Sequence, residues 1–102
     1  MILGCGDNLA FVASCRVEGS TYTACSDFFG NQIPSALSAQ CAAGNGTSSD
    51  KPCEIDNRAG ACVFFNNALP DRCYVEHISP PSAASFWETT CPQTGGTWTP
   101  AN

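Results

Sequence analysis

The chain has 102 residues, with eight cysteines, nine acidic residues and only four basic ones. This length fits one domain, or two small units packed as one. The shortage of basic residues argues against binding to nucleic acid or to an anionic membrane surface. No apolar run approaches the ~20 residues of a spanning helix. So many cysteines in a short chain predict disulfide bridges and an extracytoplasmic location: secreted, periplasmic or at the cell surface.

The first residues, Met1–Asp7, lack the basic and apolar segments of a signal peptide. Export therefore implies that a signal was removed upstream, or that Met1 is not the native start. The run Ile2-Leu3-Gly4-Cys5 also resembles the lipobox of bacterial lipoproteins, in which the cysteine is lipidated. Two hypotheses for Cys5 stay open, a lipid anchor and a disulfide bridge.

The cysteine spacing indicates an internal repeat. The gaps between cysteines are 10, 10 and 16 residues in the first half and 9, 11 and 18 in the second. Short matches such as Gly46-Thr47 and Gly96-Thr97 fall in the same register. Because a fixed spacing is the signature of repeated units, we predict two four-cysteine repeats, residues 1–48 and 49–102, packed as one domain.

Each half begins with a predicted hairpin. The strand segments contain Tyr, Val, Thr and Ile, which suit a pleated, half-buried surface. The turns contain Gly, Asn and Pro, which favour turn conformations. The predicted hairpins are Cys15–Glu18 with Thr21–Cys25 around Gly19-Ser20, and Cys62–Phe65 with Cys73–Ile78 around Asn66–Pro70.

A helix follows each hairpin, over 33–41 in the first half and 80–91 in the second, where Ser79 is the predicted N-cap. Ile33, Leu37 and Cys41 are spaced four apart, as are Ala83, Trp87 and Cys91, so each helix should turn its last cysteine toward the core. The linker 47–52 separates the halves, and the tail 99–102 should be frayed. The predicted fold is a small disulfide-rich α+β protein of two tandem hairpin-plus-helix (ββα) repeats.

The repeat predicts bridges within each half. The first choice is Cys5–Cys15, Cys25–Cys41, Cys53–Cys62 and Cys73–Cys91. The alternative closes the hairpins through Cys15–Cys25 and Cys62–Cys73. A bridge between residues 1–48 and residues 49–102 would contradict the repeat.

The sequence offers little for catalysis or for a metal. No two cysteines are closer than nine residues, whereas zinc and iron–sulfur sites usually take two ligands from one tight turn. His77 is the only histidine and is predicted to be half-exposed on a strand, with no G-x-S-x-G elbow for a serine triad. Glu54 and Asp56 are interpreted as a solvated loop. We therefore predict no catalytic residue, no metal and no cofactor.

Aromatic residues occur in three adjacent pairs. Because neighbours on a strand point to opposite faces, one of each strand pair should face away from its own hairpin. A two-layer fold could bury both faces, or one could form an exposed contact patch. The candidate contact aromatics are Phe28, Phe29, Phe64, Phe65, Phe86 and Trp87.

The second half resembles a known kind of module. The segment 53–62, the aromatic hairpin, and the helix with Cys91 before Gly95-Gly96-Thr97-Trp98 are similar to small cysteine-rich secreted proteins and lipoproteins of Gram-negative bacteria. The first half departs from this pattern, because residues 44–48 lack the double glycine and the tryptophan. The modules also often carry an aromatic residue where Cys73 stands. The resemblance implies export and bridging, and no reaction.

Together these features predict a non-catalytic module that acts by surface contact, through protein binding or a structural role at the cell surface. Its partner would be another protein or a second copy of the chain. One alternative is a subunit of a self-assembling extracellular filament or surface layer. A second alternative is a small secreted hydrolase or inhibitor-like effector.

Overall fold

The computed structural model describes Cys5 and residues 9–65 and 71–101. Six antiparallel strands form one sheet in the order β3-β1-β2-β5-β4-β6, accompanied by two helices and a 3₁₀ turn at Pro81–Ala83. The strands are β1 (Phe11–Glu18), β2 (Thr23–Gly30), β3 (Thr47–Ser49), β4 (Gly60–Phe65), β5 (Arg72–Ser79) and β6 (Thr97–Pro100); the helices are α1 (Pro34–Ala43) and α2 (Ala84–Gln93). The prediction of a small disulfide-rich protein is confirmed, and the described part is mostly sheet.

The four predicted strands exist, but two further strands do not follow from the sequence. The predicted linker 47–52 contains β3, and the tail expected to be frayed contributes Thr99 and Pro100 to β6. Both strands pair through their backbones with β1 and β4, which requires no apolar side-chain pattern. The predicted turn at Asn66–Pro70 lies outside the described residues.

The central pairing of the sheet joins the two halves of the chain. β2 and β5 run antiparallel over eight residue pairs, from Thr23 opposite Ser79 to Gly30 opposite Arg72. Each predicted hairpin is therefore part of one continuous sheet, with β1 beside β2 and β4 beside β5. Two tandem ββα units are not confirmed, because a strand follows each helix and the sheet crosses the predicted boundary at residue 48.

All eight cysteines are bridged, but neither predicted pairing scheme is right. The bridges are Cys5–Cys73, Cys15–Cys41, Cys25–Cys53 and Cys62–Cys91. Two of them join the halves, so the prediction that each half closes its own bridges is wrong.

The reason lies in the strand register. Cys15 stands opposite Ser26 on β2, so the next residue, Cys25, points to the other face of the sheet. A Cys15–Cys25 hairpin bridge is therefore excluded. On that other face Cys25 is bonded to Cys53, in the segment that leads to β4. On the first face Cys15 is bonded to Cys41 of α1.

Both helices lie on one face of the sheet. Cys15, Ser26, Glu76 and Cys62 form a row of directly paired residues across the four inner strands, and directly opposed residues share a face. Cys15 is bonded to α1 through Cys41, and Cys62 to α2 through Cys91. The bridges thus fix both helices on this helix-bearing face.

The predicted inward face of each helix is confirmed in part. Leu37, Cys41 and Cys91 are buried, and Trp87 is half-buried. Ile33 precedes α1 and is 68% exposed, contrary to expectation. The predicted N-cap is also wrong, since Ser79 is the last residue of β5 and α2 begins only at Ala84. A cis Ser79–Pro80 bond and the 3₁₀ turn separate them.

The opposite face carries the main apolar core. Its buried members are Cys5, Phe29, Ala61, Val63, Cys73 and Val75, with Leu9 and Phe11 packed against them. The Cys5–Cys73 bridge fastens Cys5 into this core. Since the bridge uses the sulfur that a diacylglyceryl group would need, the structure gives no support to a lipid anchor at Cys5.

A glycine lies against each of the two helix bridges. Gly46 follows α1 and donates its backbone N–H to the carbonyl of Cys41 over 2.8 Å; Gly96 does the same to Cys91 over 3.0 Å. A Cβ atom on Gly46 would lie 2.7 Å from the sulfurs of both Cys15 and Cys41, and one on Gly96 would lie 2.9 Å from the sulfur of Cys91. The Gly-Thr pair shared by the two halves therefore places a residue without a side chain beside each helix disulfide, where a Cβ atom would be too close to the sulfurs.

We expect Gly46→Ala to lower the free energy of unfolding by about 1–3 kcal/mol, because the new methyl group overpacks the Cys15–Cys41 bridge. Gly44→Ala, two residues away, is the matched control: its nearest neighbour would be 3.7 Å away, so its effect should stay within about 0.5 kcal/mol. Chemical denaturation of both oxidised proteins measures the difference. Equal effects would show that the bridge does not require glycine.

Candidate functional site

The centre of the helix-bearing face lies between the two helices. α1 packs on β1 and β3, and α2 packs mainly on β6, with lesser contacts to β4 and β5. The inner strands β2 and β5 form the floor between them, with Ser26, Phe28, Tyr74 and Glu76 on this face. We call these four residues, with Leu37 and Gln40 of α1, the helix-side groove.

An aromatic row crosses the floor of the helix-side groove. Phe28 stands opposite Tyr74, and Tyr74 opposite Phe64. The Phe64 and Tyr74 rings are stacked at 4.5 Å and 18°, and the Phe28 ring centre is 5.3 Å from that of Tyr74. All three side chains are half-buried. The row presents an aromatic surface, and burial together with the charge of Glu76 raises the pKa of Tyr74.

The candidate contact aromatics do not form one surface. Phe28 and Phe64 lie in the aromatic row, whereas Phe29 is buried on the opposite face against Phe11, 5.9 Å away. Phe65 is 40% exposed and points to that same opposite face, because it follows Phe64 on β4. The prediction that neighbours on a strand separate to two faces is confirmed, and Tyr74, which joins Phe28 to Phe64, was missed.

The helical pair behaves differently from the strand pairs. Phe86 is 60% exposed on α2 and touches Trp87 edge to face at 5.7 Å. Trp87 packs edge to face on Tyr22, 5.4 Å away, and contacts the buried cluster that contains Ile78. Trp87 therefore holds α2 on the sheet, and Phe86 remains available for contact.

A cavity of about 150 Å³ opens in the helix-side groove beside α1. Phe28 supplies an aromatic wall, Leu37 an apolar one, and Ser26, Gln40 and Glu76 supply polar atoms. Gln40 is exposed and Val17, at the other rim, is 37% exposed. The cavity is thus mainly apolar with a few convergent polar groups, which is typical of a small binding site.

Glu76 is the acidic group of this cavity. It is half-buried on β5, and burial raises its pKa above the usual range for a glutamate. Among the ion pairs of the described residues none includes Glu76. The three arginines are engaged elsewhere: Arg16 with Glu18, Arg72 with Asp71, and Arg58 with His77. Glu76 therefore lines the cavity without an ion-pair partner among the described residues.

His77 is buried on the opposite face, not half-exposed as predicted. Its Nε2 lies 3.1 Å from Oδ2 of Asp27, and its Nδ1 lies 2.9 Å from Nη1 of Arg58. Arg58 can only donate, so Nδ1 must accept and the imidazole carries its proton on Nε2, donated to Asp27. Both ring nitrogens are engaged, and neither is presented to a substrate.

The Asp27–His77 pair belongs to a set of contacts that fastens the segment 51–58 across the sheet. The backbone N–H of Cys53 donates to Oδ1 of Asp27 over 2.8 Å, beside the Cys25–Cys53 bridge. The buried hydroxyl of Ser14 donates to the carbonyl of Lys51 over 2.7 Å. Glu54 and Asp56 are exposed on this segment, and within residues 9–65 and 71–101, with Cys5, no group of three or more His, Cys, Asp or Glu side chains could hold a metal.

Comparison of the chain with family models, curated proteins and solved structures finds no match.

We expect Asp27→Asn to lower the free energy of unfolding by about 1–3 kcal/mol, because one buried partner of the network is lost. If the new amide donates to Nε2 of His77, the ring proton must move to Nδ1, where it meets the Arg58 donor. The loss should therefore be smaller in an Arg58→Ala background, as a double-mutant cycle by chemical denaturation would measure. Equal losses in both backgrounds would contradict the proposed tautomer.

Glu76 should make the stability depend on pH. A carboxyl whose pKa is raised by burial binds its proton more tightly in the folded chain, so the free energy of unfolding falls as pH rises from the ordinary glutamate pKa through the raised one. Glu76→Gln should flatten this decline and raise stability at neutral pH. Glu88→Gln, on the exposed surface of α2, is the control that should keep the decline. Thermal unfolding at a series of pH values tests both variants.

Proposed function

We propose that this protein is a non-catalytic, extracytoplasmic binding module that contacts another protein through its helix-bearing face. The observation that carries this proposal is the helix-side groove, an aromatic and acidic floor left between two helices. Each helix is bonded to the sheet by a disulfide. A surface held rigid in this way loses little conformational entropy on binding, which favours recognition by contact.

The location is proposed from the bridges. Four disulfides in 102 residues are typical of an oxidising compartment. No helix among the described residues is both long and apolar enough to cross a bilayer. The resemblance of the second half to exported bacterial modules agrees with this proposal.

The non-catalytic part of the proposal is supported by His77. This only histidine of the chain is buried with both nitrogens engaged by Asp27 and Arg58, so it would need local opening before it could transfer a proton. Its contacts serve to fasten the segment 51–58. A hydrolase that used His77 is the weaker alternative for this reason.

We further propose that the two halves are copies of a ββαβ unit related by a pseudo-two-fold axis. Exchange of β1 with β4, β2 with β5 and β3 with β6 leaves the strand order unchanged. The same exchange relates the Cys15–Cys41 bridge of α1 to the Cys62–Cys91 bridge of α2. It also relates the Cys25–Cys53 bridge to the Cys73–Cys5 bridge. The two bridges between the halves contradict self-contained repeats, so on this proposal the units are interlocked copies, each bonded to the other. The symmetry then brings both helices to one face.

Self-assembly is the second candidate, and the outer strands favour it. β3 and β6 are the edge strands of the described sheet, and an unpaired edge can add a strand from another chain. β3 has only three residues, and Pro100 of β6 has no N–H to offer. These short edges limit the pairing, so we rank the filament or surface layer below the binding module.

Partner capture with matched surface variants tests the proposed face. The oxidised protein would be immobilised and exposed to the extracellular and periplasmic proteins of the cells that export it. Phe86→Ser changes an exposed aromatic on the helix-bearing face, and Phe65→Ser changes one on the opposite face. We expect a partner retained by the wild type and by Phe65→Ser, but retained at least about tenfold less by Phe86→Ser.

Three outcomes would contradict this proposal. Loss of the partner only with Phe65→Ser would place the contact on the opposite face. Concentration-dependent growth in sedimentation velocity, with no partner retained, would favour the filament. Hydrolytic turnover abolished by His77→Gln in a folded protein would favour the secreted hydrolase.

A further inference from the structure

We propose that the cavity of the helix-side groove binds a lysine side chain of a basic partner protein. This inference rests on the proposed function, since it names the chemistry by which the groove would recognise its partner. The two observations that carry it are an acidic residue, Glu76, that lines the cavity with no ion-pair partner among the described residues, and an aromatic residue, Phe28, in the same lining.

The cavity combines the groups that recognise an ammonium ion. Glu76 contributes a carboxylate and Phe28 a ring to the lining of one cavity, and a cation near an aromatic face is attracted by the ring quadrupole. The Tyr74 ring, 5.3 Å from Phe28, continues that surface. Ser26 and Gln40 add a hydroxyl and an amide oxygen, so an ammonium with three donors has acceptors besides the carboxylate.

Size favours lysine among the cationic side chains. The cavity of about 150 Å³ is of the volume that accommodates a molecule as large as benzene. The butylammonium portion of lysine fits such a space, with its methylene stem against Leu37 and Val17. The wider planar guanidinium of arginine needs acceptors arranged for its fork, whereas one carboxylate and two neutral acceptors on separate residues suit a compact charge.

Charge favours another protein over a second copy of the chain. The formal net charge is −5, and Lys51 is the only lysine. Lys51 lies on the segment that crosses the face opposite the helices, where its carbonyl accepts the Ser14 hydroxyl. Two copies repel each other overall, while a basic partner is attracted to the protein before contact and its lysine then neutralises Glu76.

The test is an NMR titration of the oxidised, ¹⁵N-labelled protein with n-butylammonium chloride, at constant ionic strength kept with sodium chloride. n-Butanol is the neutral control of similar shape. We expect saturable shifts confined to amides of the groove, including Ser26, Gln40 and Glu76, with affinity at least about tenfold higher than for n-butanol. Equal shifts with butanol, or shifts spread over the surface, would overturn the proposal.

Two variants measure separately what the Glu76 carboxylate and the Phe28 ring contribute to n-butylammonium affinity. Glu76→Gln should weaken n-butylammonium binding at least about tenfold, and Phe28→Leu should weaken it about threefold while keeping an apolar wall. Glu88→Gln, outside the cavity, should leave the affinity unchanged. If one of the two groove variants does not fold, the other alone tests the site. Unchanged affinity for n-butylammonium in either folded variant would count against the site. A wild-type protein that captures a partner but does not bind n-butylammonium would refute only the ligand class, whereas a wild-type protein that captures no partner would refute the proposed function.

Discussion

The antiparallel pairing of β2 with β5 is the constraint on which the rest of the structure depends. It places the third cysteine of the first half and the third of the second half on the same face, away from the helices. Each of them then bonds to the first cysteine of the other half. The remaining cysteines of the inner hairpins face the helices and hold them. One register therefore decides the bridges, the covered core on the face away from the helices, and the open centre of the helix-bearing face.

Local features of this chain were predictable because they depend on neighbours in sequence. The Gly19-Ser20 turn forms, with the N–H of Gly19 donating to the carbonyl of Tyr22. Leu37 and Cys41 share one helix face because they are four residues apart. The bridges were not predictable in this way, since they depend on which face each strand residue occupies after pairing. The predicted Cys25–Cys41 bridge is wrong because alternation along β2 places Cys25 on the face of the sheet away from α1.

The sequence predicts single features of the helix-side groove but not the groove itself. Tyr74 and Glu76 alternate with buried Cys73, Val75 and His77 along β5, which suggests a second face without saying what covers it. Nothing in the sequence distinguishes Glu76 from the other eight acidic residues as a binding residue. Its importance follows from the pairing with Ser26 and from the positions of the helices, both of which are properties of the tertiary structure. His77 was misplaced for the same reason, because its partners Asp27 and Arg58 are distant in sequence.

The order of the bridges has a consequence for how the chain must mature. No cysteine is bonded to the next one along the sequence, so oxidation of neighbouring thiols in sequence order would produce only non-native pairs. The Cys5–Cys73 bridge in particular cannot form until the chain has been made as far as β5. Native pairing therefore requires either thiols kept reduced until the sheet assembles or an isomerase that exchanges early bridges. An oxidant alone is therefore not enough to form the native set of bridges in this chain.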